Sequence, residues 1–294
     1  MKKSLVKGMV IFAMLVWMAT NVVAITSGHT GTSVKPATFP PVHADTFFDG
    51  QSISLVTAPE VIPADKKIAG AVVPHHLLAG ELIEEIFALL KRENPSTLIV
   101  VGPNHDNAGE EALTSAWGWQ TPYGVVEADQ NLIERLSQVY PLQIDDEACG
   151  KEHALGNIMP YIEYYLPQAK VVPIMLHHDL SLEEANTLGN LIAQEAGEGT
   201  VLVASVDFSH YLTRQEAEEK DKETLEIIQK GNLGHLFSLG NDHLDSPASL
   251  GVLFRTMKNW GITDFTVLKN TNSGEILKND RIETTSYFTM VFTK

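Results

Sequence analysis

Thr97–His105 reads TLIVVGPNH, an unbroken run of β-branched and aliphatic residues that ends in a turn and a histidine. The run predicts a buried strand over Thr97–Val101, because it lacks the polar alternation of a strand with one wet face. Gly102-Pro103-Asn104 then forms a tight, rigid turn that fixes the His105 imidazole close to the strand end. Working outward, Lys67–Val73 (KIAGAVV), Val171–Leu176 (VVPIML) and Thr200–Ser205 (TVLVAS) read in the same way. Between them lie helix-like segments. In Leu78–Arg92 the residues Leu82, Ile83, Ile86, Leu89 and Leu90 fall at helical spacing. Gln130–Gln138, Gly156–Tyr165, Leu182–Ala196, Arg214–Gln229 and Ser249–Asn259 are further helix candidates, and Thr263–Asn270 and Thr284–Phe292 read as two closing strands. Strands and helices alternating over short connections predict an α/β domain with a mixed, mostly parallel sheet and helices on both faces. No internal repeat and no second linker divides residues 60–294, so they read as one domain.

The chain ahead of this domain has a different character. Lys2, Lys3 and Lys7 precede an apolar run from Met9 to Val23 that closes on Val22-Val23-Ala24. A basic start, an apolar middle and a small-residue exit are the layout of a secretory signal, which makes residues 1–24 a cleaved signal peptide or, alternatively, a retained membrane anchor. Export to the periplasm or beyond is the expectation, with any membrane contact confined to this segment. Residues 25–59 open rich in Gly, Ser, Thr and Pro and read as a linker or draped arm. Lys and Arg number 21 against 37 acidic residues, a net charge of −16, which disfavours nucleic acid because phosphates need a basic face. The single cysteine, Cys149, excludes an intramolecular disulfide and all Cys-based zinc or iron–sulfur sites. Any metal must be held by His and carboxylates.

Four of the strand candidates run into histidine: Val73 into Pro74-His75-His76, Val101 into the turn before His105, Leu176 into His177-His178, and Ser205 into Val206-Asp207-Phe208-Ser209-His210. In open α/β sheets ligands bind beyond the carboxyl ends of the strands, and parallel strands bring those ends to one rim. A single histidine after a strand is usually an ordinary loop residue; four together favour a shared site. Asp207, three residues before His210, is close enough in sequence to orient it, or else is a helix-capping acid. His76 is expected to point away from its neighbour His75, and His177 and His178 are expected to be ordinary loop residues after their strand.

The segments PHH (Pro74–His76), GPNH (Gly102–His105), EHALGNIMPYI (Glu152–Ile162), VPIML (Val172–Leu176) and SVDFSHYL (Ser205–Leu212), in this order and at these spacings, resemble the Memo family. Bacterial members of that family are called AmmeMemoRadiSam system protein B. The resemblance spans residues 60–294 and implies a fold like the catalytic subunit of class III extradiol dioxygenases, which are non-haem iron enzymes. It implies metal ligation by His75 and His105, an acid–base role for His210 beside Asp207, and a place at the pocket wall for Glu152 and His153. Asp207, His153 and His210 are thus the candidate catalytic residues. Many family members carry a Cys shortly before an apolar helix, here Ser249–Phe254 (SLGVLF); an ungapped match puts Asp245 at that position, and a slip of one or two residues gives Ser246 or His243. Two histidines with a carboxylate form the facial triad of non-haem iron(II) oxygenases, so the resemblance points to a divalent metal, Fe(II) first and Mn, Cu or Zn as alternatives. The expected function is a metal-dependent oxidoreductase, dioxygenase-like, acting on a small molecule or peptide. The alternatives are a non-catalytic metal, peptide or small-molecule binding protein and a metal-dependent hydrolase. The family name also implies AMMECR-type and radical-SAM partners.

Overall fold

The aliphatic runs become the centre of one sheet. The computed structural model describes residues 41–44, 48, 53, 56 and 62–294, so the expected signal and most of the expected arm lie outside the described residues. Along the chain the strands are β1 (Val42–His43), β2 (Ile68–Val73), β3 (Thr97–Pro103), β4 (Ala112–Thr114), β5 (Gly118–Thr121), β6 (Gly124–Val126), β7 (Gln143–Ile144), β8 (Lys170–Leu176), β9 (Thr200–Ser205), β10 (Phe265–Asn272) and β11 (Ser286–Thr293). The helices are α1 (Gly80–Leu90), α2 (Gln130–Val139), α3 (Asp146–Cys149), α4 (His153–Gly156), α5 (Met159–Tyr165), α6 (Leu182–Glu195), α7 (Arg214–Gln229), α8 (Leu233–Leu236), α9 (Pro247–Asn259) and α10 (Ser273–Leu277).

Eight strands form the main sheet in the order β10-β11-β2-β9-β3-β8-β4-β7. The four central strands, β2, β9, β3 and β8, are mutually parallel. The flanks are mixed: β11 is antiparallel to β2 and β10 to β11, while β4 is antiparallel to β8 and β7 parallel to β4. A smaller sheet, β1-β5-β6, receives Val42 and His43 as its edge strand. Among the described residues no helix is long and apolar enough to cross a membrane.

Alternate residues of the central strands serve opposite cores, which is why these runs are apolar throughout. Ile99, Val101, Leu202 and Ala204 pack with α2, α6 and α9, whereas Leu98, Val100, Val201 and Val203 pack with α1 and α5. Helices α6 and α7 start where the sequence predicts, each on a capping box: Ser181 with Glu184, and Thr213 with Glu216. The predicted helix Gly156–Tyr165 is instead two, α4 and α5. Pro160 has no N–H to give the Gly156 carbonyl, so one continuous helix cannot form across it. The two closing strands start two residues later than the apolar pattern suggests.

The register places the site. Val73 pairs with Ser205, Val101 with Ala204 and Pro103 with Leu176, so all four central strands end at one level. The turns carrying His75, His105, His177 and Asp207 leave from the same rim.

Candidate metal centre

His75 is fully enclosed, 1% exposed, and held at three points. Its backbone N–H donates to Asp207 Oδ1 (3.1 Å) and its carbonyl accepts from Asn157 Nδ2 (2.8 Å). Its ring Nδ1 meets Ser205 Oγ at 3.2 Å, and that hydroxyl spends its one proton on the Ala154 carbonyl (2.7 Å). Ser205 must therefore accept from His75 Nδ1–H, which leaves Nε2 as the ligand atom. His105 is fixed by one acid: Glu152 accepts from its backbone N–H (Oε2, 2.9 Å) and from Nδ1–H (Oε1, 2.8 Å). Its Nε2 is thereby the outward-facing nitrogen as well. A histidine whose Nδ1–H is held by a carboxylate or hydroxyl is the usual arrangement of a metal ligand.

Asp245 completes the convergence. Its Oδ2 lies 3.3 Å from His75 Nε2 and 3.9 Å from His105 Nε2, and accepts from Asp207 N–H at 3.2 Å. Its Oδ1 is buried and has no hydrogen-bond partner among the described residues. Asp245 does not cap α9. Ser246 does so, accepting from Ser249 N–H, with Pro247 in the first turn. His243 is engaged elsewhere, with Nδ1 on Thr224 Oγ1 (2.8 Å) and Nε2 on Lys220 Nζ (3.0 Å). Of the three third-ligand candidates, only Asp245 faces the two histidines.

Among the described residues, two donor groups have ligand atoms within 4.8 Å of one another: His75, His105 and His153, and His75, Asp207 and Asp245. His153, expected at the pocket wall, stacks on His105 with ring centroids 4.1 Å apart and lies edge-on to His75 at 5.3 Å. Burial and the charges of His105 and His75 push its pKa down to about 4, so it is neutral at neutral pH. Burial opposes charge on His75 too, but Asp207, Asp245 and Glu152 more than offset it and raise its pKa to about 9. The same balance acts on Glu152: burial favours the neutral acid, while His105 and two backbone N–H groups hold it ionised, below the usual carboxylate range. A positive charge is what this cage stabilises; a proton on His75 supplies one, and a divalent cation would supply more.

His210 departs from expectation. Asp207 does not orient it; the Asp207 carboxylate turns to His75, taking its backbone N–H and facing Nε2 at 3.6 Å. The reason is the extended path of the segment. Phe208 N–H donates to Ser286 O, Ser286 N–H to Ser209 O, and His210 N–H to Asn241 O. Side chains three apart in an extended segment face opposite ways. His210 Nδ1 is buried and has no hydrogen-bond partner among the described residues. The next residue, Tyr211, holds a φ of 61°, uncommon for a bulky residue, with its ring exposed. His76, as expected, points away from His75, to Tyr287 Oη at 2.6 Å. His177 and His178 stay outside the cluster.

Ser205 and Asn157 were not legible as site residues. Ser205 reads as the end of an aliphatic run and Asn157 as a helix residue; only a serine closing a strand beside another strand's histidine hints at the first.

The family profile described as Memo-like protein matches residues 50–291. A MEMO1 family protein of Pyrobaculum arsenaticum is 31% identical over 238 residues, 77% of this chain and 84% of its own length. The MEMO1 family protein PAE0818 of Pyrobaculum aerophilum is 30% identical over 235 residues, covering 76% and 83%. The crystal structure of the uncharacterized protein JW3007 from Escherichia coli K12 shares the fold, with a TM-score of 0.53 over 76% of this chain and 99% of that one, at 14% identity.

Proposed function

The chain belongs to the Memo-like protein family, and from that premise we propose that it is a metal-dependent oxidoreductase of dioxygenase-like type, exported from the cytoplasm. The observation that carries the metal is the donor set: two tautomer-fixed histidines and a buried carboxylate with one oxygen unsatisfied. His75, His105 and Asp245 would hold the ion, and His153 and Asp207 lie close enough to join or replace a ligand. Two histidines and a carboxylate suit Fe(II), with manganese, copper or zinc as alternatives. The bound ion would supply open coordination positions for a small-molecule or peptide substrate and for dioxygen.

The chain's own residues would divide the remaining work. Glu152 and Ser205 fix the imidazoles; Asp207 ties the β2 turn to the β9 turn. His210 is the acid–base candidate by family resemblance, and with its Nδ1 uncommitted it would accept or return a proton at that nitrogen. Neutral His153 would shape the open side of the centre. The all-histidine group favours a second reading, in which the chain binds a softer ion or a ligand without turning it over. Partnership with AMMECR-type and radical-SAM proteins is part of the proposal by family resemblance alone.

The test is an oxygen-consumption screen of iron-loaded protein against a panel of small-molecule substrates, alongside His210→Ala. The variant should keep its iron and lose turnover by about 100-fold, the usual weight of an acid–base group. A variant that turns over at the parent rate contradicts the role of His210, and a parent that consumes no oxygen contradicts the oxidoreductase reading.

A further inference from the structure

The loop from Gly240 to Asp245 carries one proposed ligand and is held from two sides. Toward the centre it runs against the segment after β9. Leu244 forms an antiparallel bridge with Phe208, Asp245 N–H donates to Asp207 O (3.1 Å), and His210 N–H donates to Asn241 O (2.9 Å). On the other side the loop meets α7 through His243, which is 4% exposed. Lys220 Nζ lies 3.0 Å from His243 Nε2 and has only protons to give, so Nε2 accepts and the ring proton sits on Nδ1. Thr224 agrees from the other nitrogen: its hydroxyl donates to the Lys220 carbonyl (2.9 Å) and so accepts from Nδ1–H at 2.8 Å. Lys220 Nζ also reaches Asp242 Oδ2 at 2.9 Å. Both ring nitrogens of His243 are thus committed to one turn of α7, which fixes the ring in a single orientation.

We propose that His243 is a positioning residue for the metal centre: by clamping its loop to α7, it sets where the Asp245 carboxylate stands relative to His75 and His105. The inference rests on the metal-centre reading and extends it to a side chain that touches no ligand atom. A carboxylate on a loop gives up backbone and rotamer freedom when it ligates, and a loop already fixed has less to lose. Asp245 is two residues from His243, and its Oδ2 stands 3.3 Å from His75 Nε2. So short a link leaves little chain to absorb a shift at the ring, and ligation is sensitive to displacements of about 0.5 Å. The turn in which the His243 and Leu244 N–H groups share the Gly240 carbonyl shortens that link further.

The experiment titrates Co(II) into metal-free protein against a chromophoric chelator, records the visible Co(II) absorption as a report of coordination geometry, and runs thermal melts alongside. His243→Ala should weaken Co(II) by about tenfold, the low end for partners outside the ligand sphere, and alter the absorption as water replaces a displaced Asp245. His243→Gln keeps one donor for Thr224 and one acceptor for Lys220, so it should restore the parent absorption and bring affinity within about threefold. Lys220→Met keeps the side-chain stem, removes the partner of Nε2 and should cost about threefold. The Lys220 side chain is 35% exposed, so this variant tests the clamp without opening the core. Parent affinity and absorption in His243→Ala, whatever its melting temperature, would overturn the proposal and leave His243 a packing residue. Should His243→Ala fail to fold, Lys220→Met decides alone, and parent behaviour there overturns the proposal equally. A parent that takes up no Co(II) would contradict the metal centre itself, and the proposal with it.

Discussion

Strands β3 and β8 are parallel neighbours, paired in register from Thr97 opposite Lys170 to Pro103 opposite Leu176, and both run into histidine. Only one of the two turns delivers its histidine to the centre. The difference lies in what takes the backbone N–H beyond the strand. His105 N–H goes to the Glu152 carboxylate, which reaches back to the same residue's Nδ1. His75, on β2, is treated alike: Asp207 takes its N–H and faces its ring. His177 N–H goes to a carbonyl, that of Glu111 at the start of the β4 side, which draws the turn away from the centre. His178 ends on the surface between Asn107 and Asp179. Reaching the rim is a matter of topology; reaching the centre takes an acid that grips both backbone and ring.

The contrast can be broken most forcefully at the ligands. His75→Ala should weaken metal affinity by more than about 100-fold, exceeding the usual effect of outer partners, while His178→Ala should stay within about twofold. Competition with a chromophoric chelator measures both, and equal losses would erase the distinction between the two turns. Glu152→Gln removes the charge that grips His105 and should cost about 10- to 100-fold in affinity. An unaltered affinity would mean that Glu152 serves only as the N-cap of α4.

Asp245 and Ser246 are adjacent in the chain but divide ligand and helix cap between them. Ser246→Ala should lose about 1 kcal/mol of stability through the α9 cap and leave metal affinity unchanged. Asp245→Ala should do the reverse to affinity, abolishing it with the cap intact. Urea melts beside chelator titrations separate the two effects, and a cap variant that also loses metal would show the roles to be shared.

The smallest effect is expected at a histidine away from the rim. His43 on β1 donates from Nε2 to Ser115 Oγ (2.7 Å), which donates on to Asp146, and it packs on Trp119. Burial lowers its pKa below 6.5 despite the opposing charge of Asp146. The unfolded chain then takes the proton more readily, so stability present above pH 6.5 is lost as pH falls through the lower folded value. His43→Gln should flatten that part of the stability curve of the metal-free protein. A slope identical to the parent's would show that His43 contributes nothing to it.

The long apolar runs carried most of the fold in plain sight, because a strand buried on both faces leaves a continuous β-branched signature. The short strands β4 to β7 did not, since two to four residues are too few to show a period. The rim was legible from four histidines at strand ends. The grip of Glu152 on His105 spans 47 positions, so its geometry had no local signal, and resemblance alone brought Glu152 and His153 near the site. Asp207 misled because proximity in sequence is not proximity of side chains in an extended segment.

The most direct test of the metal centre is elemental analysis of the protein purified without chelators, beside a His75→Ala/His105→Ala double variant. Close to one divalent metal per chain is expected in the parent and none in the variant. A parent that carries no metal and takes up no added iron, manganese, copper or zinc would contradict it.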